Sequence, residues 1–143
     1  PPWCARTAVP TASLLTTAMN NPLLSLQDLP DFSAIRAEHV TPAVTDALQA
    51  AEAALEQALA ADGPSTYASL SACLDEPQER LGRVWGAVSH LHHVADTPEL
   101  RAAYTENLPR ITEFHTRLSS DERLYAKYKA IEPAPGRYVK AKA

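Results

Sequence analysis

Glycine is scarce in this chain. Its four glycines, Gly63, Gly82, Gly86 and Gly136, do not fall in the Gly-x-x-x-x-Gly-Lys order, so no phosphate-cradling loop is present. No serine sits in a Gly-x-Ser-x-Gly elbow, which removes the exposed nucleophile turn of the α/β hydrolases. The two cysteines, Cys4 and Cys73, are too few for the disulfide framework of a small secreted domain, and both are expected as reduced thiols. No apolar run approaches the roughly 18–20 residues that span a bilayer. Basic residues are outnumbered, 13 against 17 acidic, with a net charge of -4. That balance argues against nucleic acid and against an anionic membrane surface as partners. Period-two alternation is missing, and the one Asp-Gly pair, Asp62-Gly63, stands at the end of a helical pattern.

What remains is apolar residues at helical spacing. They make up 45% of 143 residues, enough for one core. Residues 1–18 precede the only methionine, Met19, and read as a disordered upstream or non-native extension. Residues 20–40 carry Pro22 and Pro30 and are expected to lie extended across the helices, with Leu23, Leu24, Leu26, Leu29, Phe32 and Ile35 buried. Thr41-Pro42 reads as a cap and first helical position. Val44, Ala47, Leu48, Ala51, Leu55, Ala58 and Leu59 then form one stripe, which Gly63-Pro64 ends.

A short helix is expected over 67–74. Asp75-x-x-Gln78 then resembles a capping box, and Pro77 either starts a new helix or bends a longer one. Leu81, Val84, Trp85, Val88, Leu91 and Ala95 continue the pattern. Thr97-Pro98 repeats the earlier start signal before Leu100, Tyr104, Leu108, Ile111 and Leu118, with a kink or break expected at Pro109. Ser119-x-x-Glu122 is a further capping box, followed by Leu124, Tyr125, Tyr128 and Ile131. Residues 133–143 have no core-facing period and are expected to be a loose tail. The fold class is all-α, built of four to six helices packed as antiparallel hairpins.

Three histidines crowd the stretch "VSHLHHV". His90 and His93 share a helical face, while His92 points toward the stripe of Val88 and Leu91. Zinc needs at least three protein ligands, and the third would come from Cys73, His39, His115 or a carboxylate, none of which the spacing demands. No histidine is followed by glutamate in a His-Glu-x-x-His order. The histidines therefore read as structural or solvated. Glu52 and Glu56, one turn apart among alanines, read as a solvated face in preference to an acid–base pair. Asp75, Glu76, Glu79 and Arg80 read as helix-start charges and surface ion pairs. Tyr104, Tyr125, Tyr128 and Trp85 read as packing aromatics. The expected site residues are accordingly none: no catalytic, metal or cofactor-binding residue.

The segments "MNNPLLSLQDLPDFSAIRAEHVTPAVTDAL" (19–48), "RLGRVWGAVSHLHHV" (80–94), "TPELRAAYTENLPRITEF" (97–114) and "LYAKYKAIE" (124–132) resemble, in order, the N-terminal region of the oligopeptidase A group of thimet-oligopeptidase-type zinc metallopeptidases. The resemblance covers 19–132 and stops there. It implies the N-terminal helical part of a neurolysin/thimet-oligopeptidase-like fold, cytoplasmic and helical. It also implies hydrolysis of short peptides, signal-peptide fragments included, in a channel whose wall these helices help to build. Zinc and its His-Glu-x-x-His helix belong to the complete enzyme, and no metal or catalytic position transfers to this chain. Of the histidines, His90 sits where the family has one, and it is not a zinc ligand there.

The resulting expectation is a channel-wall segment, 19–132, of a metallo-oligopeptidase. It would be inactive alone and would expose apolar surface toward its partner, the remainder of the peptidase. Oligopeptides would be substrates only of the complete enzyme. Two competing readings are a stand-alone, non-catalytic helical interaction module and a small histidine-based metal binder.

Overall fold

The computed structural model describes residues 21–25, 29–60 and 62–131. The expectations for 1–18, for Leu26 and for the tail at 133–143 fall outside these. Four α-helices follow a single 3-10 turn, Pro22–Leu24: α1 (Ala37–Leu59), α2 (Tyr67–Val94), α3 (Pro98–Ser120) and α4 (Glu122–Ala130). No strand occurs among the described residues. The all-α expectation holds.

Helix α1 is the wall shared by the others. It buries Val40, Ala43, Val44, Ala47, Leu48, Ala51, Ala54, Leu55 and Ala58, at steps of three and one that keep them on one broad face. Against this face α2 packs antiparallel. Arg80 pairs with Asp46, and the Cys73 thiol meets the Ala54 carbonyl, so the chain numbers fall on one helix as they rise on the other. Helices α1 and α3 run parallel instead. Thr41 meets Glu106, Arg110 meets Thr45 and Arg117 meets Glu52, each pair 65 residues apart. Helix α4 prolongs that register: Arg123 reaches Glu56, and Lys127 Nζ donates to the Ala60 carbonyl at 2.8 Å, each 67 residues apart.

Buried side chains gather in two clusters. Around the upper half of α1 lie Leu23, Leu81, Val84, Val88, Leu100, Ile111 and Phe114. Around its lower half lie Leu70, Cys73, Leu74 and Leu124. Leu118 packs against both.

The structure moves several boundaries. Helix α1 starts a turn before Thr41-Pro42. The His39 ring caps it, its Nδ1 accepting the Arg36 N–H at 3.1 Å, and Pro42 lies inside the helix. Asn21 closes this end: its side-chain oxygen accepts the Leu23 N–H at 3.0 Å, and its amide donates to the His39 carbonyl at 2.9 Å. Pro77 starts no new helix; α2 is one element across it. Proline inside a helix costs about 3 kcal/mol. Leu81, Val84 and Val88, buried just beyond it, each return about 1.5–3 kcal/mol. Packing wins. Helix α3 likewise runs through Pro109 toward buried Ile111 and Phe114 as one element, so of the expected kink or break the break does not occur.

Thr97 caps α3 as read, its hydroxyl accepting the Leu100 N–H at 3.2 Å. At the last turn Asp121, not Ser119, is the cap. Its carboxylate accepts the N–H groups of Arg123 and Leu124, and the Arg123 guanidinium holds it below the usual carboxylate range. Ser119 instead donates to the His115 carbonyl one turn back.

Leu29 and Phe32 were expected in the core and are exposed, Leu29 at 88%. Leu108 and Tyr125 are also exposed, since they sit on the outer faces of α3 and α4. Among the described residues the large exposed apolar side chains fall before α1 and on α2, α3 and α4.

Two substitutions test this packing by urea unfolding followed by circular dichroism. Leu81→Ala, fully buried, is expected to lose about 2–5 kcal/mol. A Cβ on Gly63 would lie 2.8 Å from the Gln57 carbonyl and 2.9 Å from the Ala60 carbonyl, so Gly63→Ala is expected to cost about 1–3 kcal/mol. An unchanged midpoint in either variant would contradict the arrangement.

Candidate functional site

His92 and His93 meet edge to face, with ring centroids 5.4 Å apart, while His90 turns elsewhere. His90, on the outer side of α2, packs its ring on Phe32 at 5.3 Å. His93 turns Nδ1 back to the Ser89 carbonyl of its own helix, 2.6 Å away. His92 lies flat on Tyr104 at 4.1 Å, and Tyr104 in turn stacks on Trp85 at 4.8 Å. This three-ring stack joins α2 to α3. Tyr104 and Trp85 are therefore packing aromatics, whereas Tyr125 is exposed, with Lys129 over its ring.

The carboxylate nearest this group is already engaged. Asp96 binds the Arg101 guanidinium, which holds its carboxyl below the usual range, with a smaller contribution from His92. Among the described residues no group of three or more His, Cys, Asp or Glu side chains is placed to hold a metal ion. The described residues do not fit a zinc centre. Cys73 is a buried thiol on α2, turned toward the Ala54 carbonyl of α1.

Glu52 and Glu56 serve a purpose that local sequence does not reveal. Glu52 pairs with Arg117 at 2.8 Å and Glu56 with Arg123 at 3.1 Å. They tie α1 to α3 and α4 and are not left to water alone. Arg80 similarly reaches across from α2 to Asp46 at 2.6 Å.

A cleft of about 290 Å³ opens between α1 and α3. Thr45, Leu48, Gln49 and Glu52 line one side, with Arg110, Glu113, Phe114 and Arg117 on the other. Its organiser is Asn107, fully buried. The Asn107 amide donates to the Thr41 hydroxyl and the Ala103 carbonyl, both at 2.8 Å, and its oxygen accepts from Arg110 at 2.7 Å. A second Arg110 N–H reaches the Thr45 hydroxyl at 3.0 Å. From the sequence Thr41 reads as a cap, Leu48 as core and Glu52 as solvated, while Thr45, Asn107 and Arg110 carry no signal of their own. The available signal was Arg110 and Arg117, seven apart and so on one helical face.

A wider, shallower groove lies along α3 beside Trp85 and Leu108. Its hydroxyls are turned inward: Thr112, Thr116, Ser119 and Ser120 each donate to a carbonyl one turn back.

A family model for the N-terminal domain of neurolysin/thimet oligopeptidase matches residues 42–139. Oligopeptidase A of Salmonella typhimurium is 44% identical over 113 residues, which is 79% of this chain and 17% of that protein. Oligopeptidase A of Escherichia coli is 43% identical over the same shares. A probable cytosolic oligopeptidase A of Arabidopsis thaliana is 42% identical over 119 residues, 83% of this chain and 17% of that protein. The chain thus spans about 17% of the length of these relatives.

Zinc titrated into the purified chain by calorimetry is expected to show no stoichiometric uptake. Tight one-to-one binding that His90→Ala and His93→Ala abolish would contradict the reading of these side chains as packing groups.

Proposed function

The chain belongs to the neurolysin/thimet oligopeptidase family, and on that premise we propose that it is the N-terminal helical segment of a zinc-dependent oligopeptidase. In this reading it forms part of the wall of the channel in which short peptides, signal-peptide fragments among them, are hydrolysed in the cytoplasm. The observation that carries the reading is the match to the family's N-terminal domain over 42–139, together with 44% identity to a curated oligopeptidase A. Residues suited to hold zinc are not gathered among those described. The proposal therefore assigns the metal ligands and the catalytic base to the part of the peptidase that this chain does not span.

What the segment contributes is shape. Parallel α1 and α3 are tied by the hydrogen bond from Arg110 to the Thr45 hydroxyl and by the ion pair of Arg117 with Glu52. A wall of this kind excludes large folded chains and admits short ones by geometry alone. No helix of the described residues is long and apolar enough to cross a membrane.

One observation favours a second reading, a non-catalytic interaction module. The apolar side chains of α1, α2 and α3 are largely enclosed by one another. Catalysis separates neither reading, since both foresee none from this chain alone. The purified chain is expected to leave a fluorogenic short peptide intact, with and without added zinc. Cleavage that a chelator stops, in material free of contaminating peptidase, would overturn both.

A further inference from the structure

We propose that the cleft between α1 and α3 binds the carboxylate of an oligopeptide, with Arg110 as the recognising group. Arg110 is a cation without a carboxylate partner within 4.0 Å among the described residues. The other arginine of the cleft, Arg117, is neutralised by Glu52 at 2.8 Å. Arg110 is instead fixed by two neutral acceptors from two helices, the Asn107 side-chain oxygen at 2.7 Å and the Thr45 hydroxyl at 3.0 Å. Asn107 is itself immobilised, fully buried and bonded to Thr41 and Ala103.

A guanidinium held in this way has lost its rotamer freedom before any ligand arrives. Its remaining N–H donors keep their full charge, and their fork matches a carboxylate. The Gln49 side chain lies across the cleft on α1, a polar group beside the ligand, and Phe114 and Leu48 supply apolar lining for a neighbouring side chain. About 290 Å³ is the lower end of ligand-pocket size, enough for the last residue or two of a peptide. Glu113, exposed at the rim, opposes a second negative charge, so selection is for one carboxylate and against polyanions.

That the carboxylate belongs to a peptide rests on the proposed function. The carboxylate preference itself does not. Binding requires no catalysis, so this proposal and that reading can fail separately.

The test is a titration of the isotopically labelled 143-residue chain, observing the Arg110 side-chain N–H and Gln49 amide signals by NMR. Three probes are used: acetyl-trialanine with a free C-terminus, the same peptide amidated, and amidated acetyl-Ala-Asp-Ala. The first or third is expected to shift both signals saturably, and which of them does so tells a chain terminus from an acidic side chain. The neutral peptide is expected to shift neither. Arg110→Gln should weaken binding at least roughly tenfold, the worth of charge-assisted hydrogen bonds. Should that variant lose its helical spectrum, Glu113→Gln, on the exposed rim, carries the test and should tighten binding by about two- to threefold, the worth of one screened like-charge contact. Equal shifts from the neutral peptide, no saturable shift from any probe, or unchanged binding in a folded Arg110→Gln would overturn the assignment.

Discussion

Helix α1 has to satisfy two neighbours at once, and the rest of the fold follows from how it does so. Its buried face is wide, and much of it is alanine: Ala43, Ala47, Ala51, Ala54 and Ala58 lie there between Val40, Val44, Leu48 and Leu55. Small side chains let neighbouring helices approach closely, and the larger ones interdigitate with Leu81, Val84 and Val88 above and Leu70 and Leu74 below. The upper cluster is held by α2 and α3 together. The lower one is closed by α4, through Leu124, and by the partly buried Tyr128 and Ile131.

The two sides of α1 are bonded by different chemistry. Toward α2 the contact is mainly apolar, with Arg80–Asp46 at its margin. Toward α3 and α4 a row of polar contacts follows the apolar ones, from Thr41–Glu106 to Lys127–Ala60, at offsets of 65 to 67 residues. Exposed ion pairs contribute little singly, about 0–1 kcal/mol each. Their nearly even offset along the whole of α1 has another use, since a slip of one turn would break every member together. The seam therefore fixes how α3 lies on α1, and the Arg110 cleft sits where it does because Asn107 is the buried member of that seam.

Much of this was legible in the residues, and the exceptions have physical reasons. The stripes from Val44 to Ala58 and from Leu81 to Val88 are buried as their spacing demands. Thr97-Pro98 does cap a helix, yet the same dipeptide at Thr41-Pro42 lies a turn inside one, because His39 and Asn21 cap the chain earlier. That cap depends on a ring nitrogen and on a residue 18 positions away, which no dipeptide signal encodes. Pro77 and Pro109 are strong breakers locally and were outweighed by core contacts on either side. Glu52 and Glu56 looked solvated because their arginines lie 65 and 67 residues on. The cleft escaped notice for the same reason: Thr45 and Arg110 meet only once α1 and α3 are laid side by side.

The reading that emerges is of a helical scaffold that positions surfaces and leaves bond-breaking to groups elsewhere in a longer peptidase. The most direct measurement of that claim is a graft. Residues 21–131 would replace the matching stretch of Salmonella typhimurium oligopeptidase A, and peptide cleavage by the purified chimera would be recorded with and without chelator. The account predicts chelator-sensitive cleavage close to that of the parent enzyme. A chimera that is folded and zinc-loaded but does not cleave peptides would contradict it.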